Sequence, residues 1–129
     1  MNTENILVLF STQSPDLKAL YHGIALMERI RTRLFILLIH NCDAIGLRKP
    51  PSLENACMDI VRQARQEEMP VFFYSGEGDV QFELMNIIKK EHINLILIDA
   101  DDQNMEDAVK KIKADMPVQI IKVKEKSSL

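Results

Sequence analysis

The sequence predicts an α/β protein in which helices cover both faces of a parallel sheet. Five apolar segments of strand length recur along the chain, and four longer segments with helical periodicity separate them. The strands are apolar throughout rather than alternating, which is typical of parallel strands buried on both faces. Strands that alternate with helices imply right-handed crossovers. We therefore predict a three-layer α/β/α sandwich with a five-stranded parallel sheet.

The first half of the chain contains two predicted strands and two predicted helices. Ile6 to Phe10 forms the first apolar strand. Ser14 is a natural N-cap and Pro15 suits the first helical position, so we expect the first helix to begin there. Leu34 to Ile39 forms the second strand, and a loop rich in proline follows it. The second helix is predicted from Ser52 to about Glu68.

The second half continues the same alternation. A short aromatic strand is predicted from Pro70 to Tyr74, and residues 76–79 are predicted to form a turn with Asp79 as the N-cap of the third helix. The chain then continues as strand, helix and strand: Leu95–Ile98, Met105–Ala114 and Val118–Val123. We expect Cys57 and most of the large apolar side chains in the core, and these include Tyr21, Met27, Phe72, Phe73 and Phe82.

Composition limits the classes of function. A chain of 129 residues fits one domain, which we expect over residues 1–124 with a short polar tail at 125–129. The net charge of −3 opposes nucleic-acid binding, which usually requires a dominant basic face. The amino-terminal segment lacks a basic region, so we expect neither a signal peptide nor a membrane span. Cys42 and Cys57 are too few for a disulfide framework or a metal site, which favours a cytoplasmic protein.

Acidic residues follow the fourth predicted strand, where folds of this class bind ligands. Asp99, Asp101 and Asp102 occupy this junction, and Glu106 lies one turn further on. A phosphate cradle needs glycines and a helix N-terminus there. Each carboxylate instead costs a bound phosphate about 3 to 4 kcal/mol at an effective dielectric constant near 20. Three interpretations stay open: acidic residues that complement the fourth helix, a surface for a basic partner, and a divalent-cation site.

Several motifs together resemble the universal stress protein (UspA-like) family. Gly78-Asp79, a helix, and then the segment from Glu91 to Ile98 resemble the second half of such a domain. Leu37-Leu38-Ile39-His40 is similar to the family's second strand, and Met116-Pro117-Val118 to the start of its last strand. The resemblance spans nearly the whole chain. It implies the strand order 3-2-1-4-5 of the adenine-nucleotide-hydrolase-like superfamily, frequent homodimers, and a role in stress response or in regulating a membrane transporter.

Two departures from the family concern ATP. ATP-binding members carry an aspartate at the end of the first strand, where this chain has Ser11-Thr12-Gln13. They also carry a glycine-rich motif after the fourth strand, where this chain has the shorter, glycine-free segment from Asp99 to Asn104. We therefore expect a non-catalytic regulatory or interaction domain that does not bind ATP in the usual way and needs no cofactor. The alternative is a nucleotide-binding stress-signalling domain in which a cation bridges the acidic run and the phosphates.

The residues expected at the ligand edge are polar and come from three strand ends. A small ligand other than ATP, or a protein contact, would meet Ser11, Thr12, His40, Asn41, Asp99 and Asp101. Cys42 lies two residues after His40, but no spacing in the chain assembles a Cys-His or Ser-His-Asp arrangement. We do not predict an enzyme.

The last strand bears on the partners. Its apolar residues form an edge that usually pairs or is covered: Val118, Ile120, Ile121 and Val123. The resemblance implies that this edge pairs with its two-fold mate, which gives an isologous homodimer. Lysines are frequent in the last 20 residues, but no aromatic residues interleave to stack bases, so a nucleic acid is not the expected partner. The resemblance implies a protein partner such as a membrane transporter.

Overall fold

The structure is a computed structural model, and it describes residues 4–11, 17–30, 32–40, 52–77, 79–100 and 103–123. Strands and helices alternate without exception across these ranges. In chain order they are β1 (Glu4–Ser11), α1 (Lys18–Arg29), β2 (Thr32–His40), α2 (Ser52–Gln66), β3 (Val71–Glu77), α3 (Val80–Glu91), β4 (Leu95–Asp99), α4 (Gln103–Asp115) and β5 (Gln119–Val123). The predicted alternation of elements is confirmed.

The five strands form one parallel sheet in the order β3-β2-β1-β4-β5. This order confirms the one that the family resemblance implies. The first strand is central: it pairs with β2 along its whole length, up to Ser11 opposite Ile39, and with β4 from Ile6 opposite Leu95. The chain reverses its direction of travel across the sheet between β1 and β4, and this switch point is where such folds open a crevice.

Each face of the sheet has its own core. On one face β1 contributes Ile6, Val8 and Phe10, which pack with side chains of α1 and α2. On the other face it contributes Leu7 and Leu9, which pack with side chains of α3 and α4. Because successive side chains of a strand point to opposite faces, a strand covered on both sides must be apolar at every position. The uninterrupted apolar runs of the sequence follow directly from this arrangement.

Helix α1 lies unusually close to the sheet at Gly23. A Cβ atom at this position would lie 2.9 Å from Cγ2 of Val8 and 3.0 Å from Cδ1 of Leu34. Both of those side chains are fully buried, so neither has room to move away. The absence of a side chain at Gly23 therefore sets how closely the helix approaches β1 and β2.

Two predicted boundaries are wrong. Helix α1 begins at Lys18 with Leu17 as its N-cap and no side-chain cap, not at Pro15; Ser14 and Pro15 lie outside the described residues. The turn predicted at residues 76–79 is instead strand as far as Glu77. Gly76 is buried there, and a Cβ on it would lie 2.9 Å from Cγ of Glu83.

The end of α3 is tied to the start of β1. The side-chain amide of Asn5 donates hydrogen bonds to the carbonyls of Glu91 at 2.9 Å and His92 at 3.1 Å. The backbone N–H of Asn5 donates to Oδ1 of Asn94 at 3.0 Å. His92 is the C-cap in a left-handed conformation with φ of 53°. The predicted N-cap is confirmed, because Oδ1 of Asp79 accepts from the N–H of Gln81 at 3.0 Å.

The prediction that the aromatic side chains lie in the core is wrong at three positions. Tyr21 is 60% exposed, Phe82 62% and Phe72 37%. Other residues of α1 and α3 form the apolar faces that cover the sheet, so Tyr21 and Phe82 face solvent. The ring of Phe72 stacks on that of Phe35 with 5.2 Å between ring centroids. Cys57 and Met27 are buried as predicted.

Candidate functional site

The candidate site lies at the carboxyl edge of the sheet, where β2, β1 and β4 end side by side. His40, Ser11 and Asp99 are the last residues of these three strands. Thr12, Asn41 and Asp101, which were also predicted at this edge, lie outside the described residues, as does Cys42. The edge is next to the switch point between β1 and β4, the position at which this class of fold binds ligands.

The sheet separates the three described candidates. Asp99 continues the alternation of Leu95 and Leu97, which pack on the face that α1 and α2 cover. His40 continues that of Leu38 on the same face. Ser11 instead follows Leu7 and Leu9 and lies on the face that α3 and α4 cover. The edge therefore does not gather the three side chains on one side of the sheet.

Burial separates the candidates further. Asp99 and Ser11 are each only 2% exposed, whereas His40 is half-buried. Continuing the pairing of Val8 with Leu97 by two residues brings Phe10 beside Asp99. The ring of Phe10 is buried on the same face and stands between Asp99 and the β2 side of the edge. Of the two, only His40 presents an appreciable exposed surface to a ligand at this edge.

Lys18 is a charged residue at this edge that the sequence did not predict there. Its ammonium lies 3.7 Å from Oδ1 of Asp99, and the two side chains are 19% and 3% exposed. A lysine in the first turn of a helix is unfavourable for the helix dipole, and no acidic residue accompanies it in that turn of α1. No signal in the sequence indicated this pair, because the helix was predicted to begin at Pro15 and because Lys18 and Asp99 are distant in the chain.

Glu106 forms a second charged group on the opposite face of the sheet. Its carboxylate accepts a hydrogen bond from the ammonium of Lys122 in β5, and the ammonium of Lys110 lies 3.4 Å away. The hydrogen bond from Lys122 is the main cause that lowers the pKa of the Glu106 carboxyl below its ordinary value of 4.5, and Lys110 adds to the effect. The Glu106 carboxylate therefore belongs to an ion-pair network and not to an open acidic cluster.

The acidic run is thus divided between two faces. Asp99 belongs to the Lys18 pair beside α1, and Glu106 to the Lys122 network beside α4. Among the described residues, no three side chains of His, Cys, Asp or Glu come close enough together to hold a metal ion. At Glu106, the carboxylate pairs with lysines of its own chain. This pairing opposes the two other interpretations of the acidic run, a surface for a basic partner and a divalent-cation site.

The junction between β4 and α4 is short. Asp99 ends the strand and Gln103 begins the helix, so only residues 100–102 connect them. The N–H of Ala100 donates to the carbonyl of Val123 at 3.0 Å, which extends the pairing of β4 with β5 past the end of the strand. A cradle that wraps a phosphate needs several free backbone N–H groups and glycines to expose them. This junction contains no glycine, and its first N–H is already used.

The fold and the edge place the chain among the α/β proteins with a doubly wound parallel sheet, and comparison with solved structures narrows this class. A universal stress protein family structure from Burkholderia pseudomallei matches with a TM-score of 0.55 and 20% identity, covering 93% of this chain and 96% of that one. A family member from Arabidopsis thaliana with AMP bound matches with a TM-score of 0.58 and 12% identity, covering 96% and 93%. The chain therefore has the fold of universal stress proteins, as its motifs predict.

The likeness is one of structure. No protein-family model matches the chain, and a comparison with curated proteins finds no match to its sequence. Within the described ranges, no helix is both long enough and apolar enough to span a membrane.

Proposed function

We propose that this chain is a universal stress protein domain that acts as a non-catalytic regulatory or interaction module and does not bind ATP in the family's usual way. The observation that carries the proposal is the short, glycine-free junction between Asp99 and Gln103. It supplies a buried carboxylate where an ATP-binding domain needs a loop of free N–H groups. The proposed setting is the cytoplasm, and the proposed partner is a protein such as a membrane transporter.

Electrostatics at the edge support the proposal. Asp99 is already neutralised by Lys18, so the lysine that could attract a phosphate has its charge engaged by a buried carboxylate. The pair as a whole therefore offers a phosphate no net positive charge.

Isothermal titration calorimetry with ATP and Mg²⁺ tests the proposal. We expect no saturable heat at millimolar ATP. The AMP-bound family member from Arabidopsis, titrated with AMP in the same buffer, serves as the positive control. A dissociation constant in the micromolar range for ATP on this chain would refute the proposal.

A second candidate function is cation-bridged nucleotide binding, which the AMP in the Arabidopsis structure favours. In this alternative a divalent cation links the nucleotide phosphates to the aspartates that follow β4. The double substitution of Asp101→Asn and Asp102→Asn should then weaken binding and reduce its dependence on Mg²⁺. If the double variant shows the same nucleotide affinity and the same Mg²⁺ dependence as the wild type, these aspartates are not part of the mechanism and the nucleotide binds elsewhere in the crevice.

We also propose an isologous dimer through β5. Ile121 is 40% exposed and Ile120 half-buried at this edge, whereas Val118 and Val123, which were predicted to share it, belong to the core. The ammonium of Lys122 pairs with the carboxylate of Glu106. Its charge is therefore neutralised, and it no longer protects the edge strand from pairing with another strand. Native mass spectrometry should show a dimer for the wild type and a folded monomer for Ile121→Lys. A wild-type monomer at micromolar concentration would contradict the dimer.

A further inference from the structure

Glu106 is a charged residue on the side of α4 that faces the sheet. It is 9% exposed, and the other buried residues of this helix, all of which the structure describes, are apolar: Met105, Ala108, Val109 and Ile112. A glutamate is rarely buried without a partner, because its charge loses hydration that only an opposite charge or hydrogen bonds can replace. The position of Glu106 is therefore explained by a group on an element that packs against α4.

That group is Lys122, the single charged residue of β5. Lys122 pairs in register with Ile98 of β4, which belongs to the core that α3 and α4 cover, so the lysine side chain lies on the α4 face of the sheet. Its ammonium donates a hydrogen bond to the Glu106 carboxylate, and the ammonium of Lys110 lies 3.4 Å from the same oxygen. The one charge of the edge strand is thus held by a carboxylate of the neighbouring helix.

The rest of the β5 edge carries no charge. Ile120 is half-buried on the α4 face, and Ile121 is exposed on the opposite face. A lysine on an edge strand normally discourages pairing, because an incoming strand would have to desolvate its ammonium. Here the hydrogen bond to Glu106 replaces part of that hydration before any strand arrives. An incoming strand therefore meets no uncompensated charge on β5.

We propose that Glu106 controls the β5 edge: by neutralising Lys122, it allows the edge to pair with a second copy of this chain. This role of Glu106 depends on the proposed β5 dimer, whose formation it governs. When two edge strands pair antiparallel in an isologous dimer, the two-fold axis is perpendicular to the sheet, so both copies of Lys122 lie on the same face of the joined sheet. Two uncompensated ammonium groups on that face repel each other, and the carboxylate of Glu106 in each copy removes the repulsion.

Sedimentation equilibrium of the whole chain at neutral pH tests the proposal. We expect Glu106→Gln to raise the dissociation constant of the dimer about 10-fold in low salt, because it leaves Lys122 uncompensated. The difference from the wild type should shrink in about 1 M salt, where the screening length is about 3 Å. Adding Lys122→Met to Glu106→Gln should restore wild-type affinity, because neither charge remains. The matched control is Asp107→Asn, which removes the same charge from an exposed position of α4 and should leave the dissociation constant unchanged.

The outcomes separate the role of Glu106 from the dimer itself. A wild-type monomer would refute the β5 dimer and, with it, the role of Glu106. A dimeric wild type with the same dissociation constant for Glu106→Gln would overturn the role of Glu106 alone, as would a double variant that dimerises as weakly as Glu106→Gln. If circular dichroism shows that Glu106→Gln does not fold, Glu106→Asp decides instead. It keeps the charge but withdraws the carboxylate from Lys122 by one methylene, and wild-type affinity in low salt would then overturn the proposal.

Discussion

The ammonium of Lys18 lies 3.7 Å from Oδ1 of Asp99, and the pair joins the first residue of α1 to the last residue of β4. Both residues are adjacent to the switch point of the sheet. Because Asp99 is almost fully buried, its charge depends on this lysine and on the polar groups around it for compensation. The crevice that other domains of this fold offer to a ligand is therefore bordered here by an internal ion pair.

Removal of Lys18 should be costly. Lys18→Met leaves the Asp99 charge buried, and we expect a loss of about 2 to 3 kcal/mol in the free energy of unfolding. Adding Asp99→Asn should recover part of that loss, because the uncompensated charge disappears. Urea unfolding of the two single variants and the double variant measures the coupling. The matched control is Lys111→Met on the exposed side of α4, which should change stability by less than about 0.5 kcal/mol.

The Glu106 network should make stability depend on acid pH. The hydrogen bond from Lys122 lowers the pKa of Glu106 in the folded protein, so the unfolded chain takes up its proton first as the pH falls. The stabilisation is complete above the ordinary pKa of 4.5 and is lost as the pH falls through the lower folded value. In urea unfolding, the wild type should have a higher free energy of unfolding than Glu106→Gln at pH 7, and this difference should shrink below pH 4.5. Lys122→Met should remove most of this pH dependence, and a constant difference between wild type and Glu106→Gln would contradict the network.

Tyr74 should ionise only at unusually high pH. Its hydroxyl donates a hydrogen bond to Glu91, which raises the pKa of the phenol above its ordinary value of 10.0, and burial and the Glu91 charge act in the same direction. The stabilisation is present below pH 10 and is lost as the pH rises through the folded pKa. The chain has two tyrosines, so Tyr21→Phe isolates the absorbance of Tyr74 in an alkaline titration. Glu91→Gln should bring the midpoint back towards 10, and an unchanged midpoint would show that Glu91 is not the cause.

Gly23→Ala should destabilise the protein although alanine favours helices. Helix propensity alone predicts a gain of about 1 kcal/mol. The new methyl group would meet Val8 and Leu34 at 2.9 and 3.0 Å, and overpacking of this kind costs about 1 to 3 kcal/mol. The two terms together predict a net loss of up to about 2 kcal/mol in urea unfolding. Ala25→Gly, at an exposed position of the same helix, measures the propensity term by itself, and a more stable Gly23→Ala would mean that α1 can lift from the sheet.

The fold was predictable because the burial of each strand determines which residue types the strand can contain. A parallel strand that is covered on both faces has to be apolar at every position, and the segment from Ile6 to Phe10 meets that condition. The number of helices was predictable, but which side chains of each helix face solvent was less so. Tyr21 and Phe82 were assigned to the buried stripes of their helices, yet both side chains face solvent, because the stripe that reaches the sheet is narrower than the run of apolar residues.

The candidate site was predicted in place but not in composition. Strand ends locate Ser11, His40 and Asp99 at the same edge, and the structure confirms that location. Counting residues along each strand would also have placed Ser11 on the opposite face from Asp99, since side chains alternate. The partner of Asp99 was harder to foresee, because Lys18 is distant in sequence and only tertiary packing brings the two together.

The two-sided burial of β1 has a consequence for the order in which the protein is made. When the ribosome has released β1, β2 and β3, the helices that cover one face of these strands have been synthesised as well. The other face, which includes Leu7, Leu9 and Phe35, needs α3 and α4, and both of these helices follow β3 in the chain. A nascent chain therefore exposes the apolar residues of that face until α3 and α4 have emerged, and a chaperone that shields the face would limit aggregation in that interval.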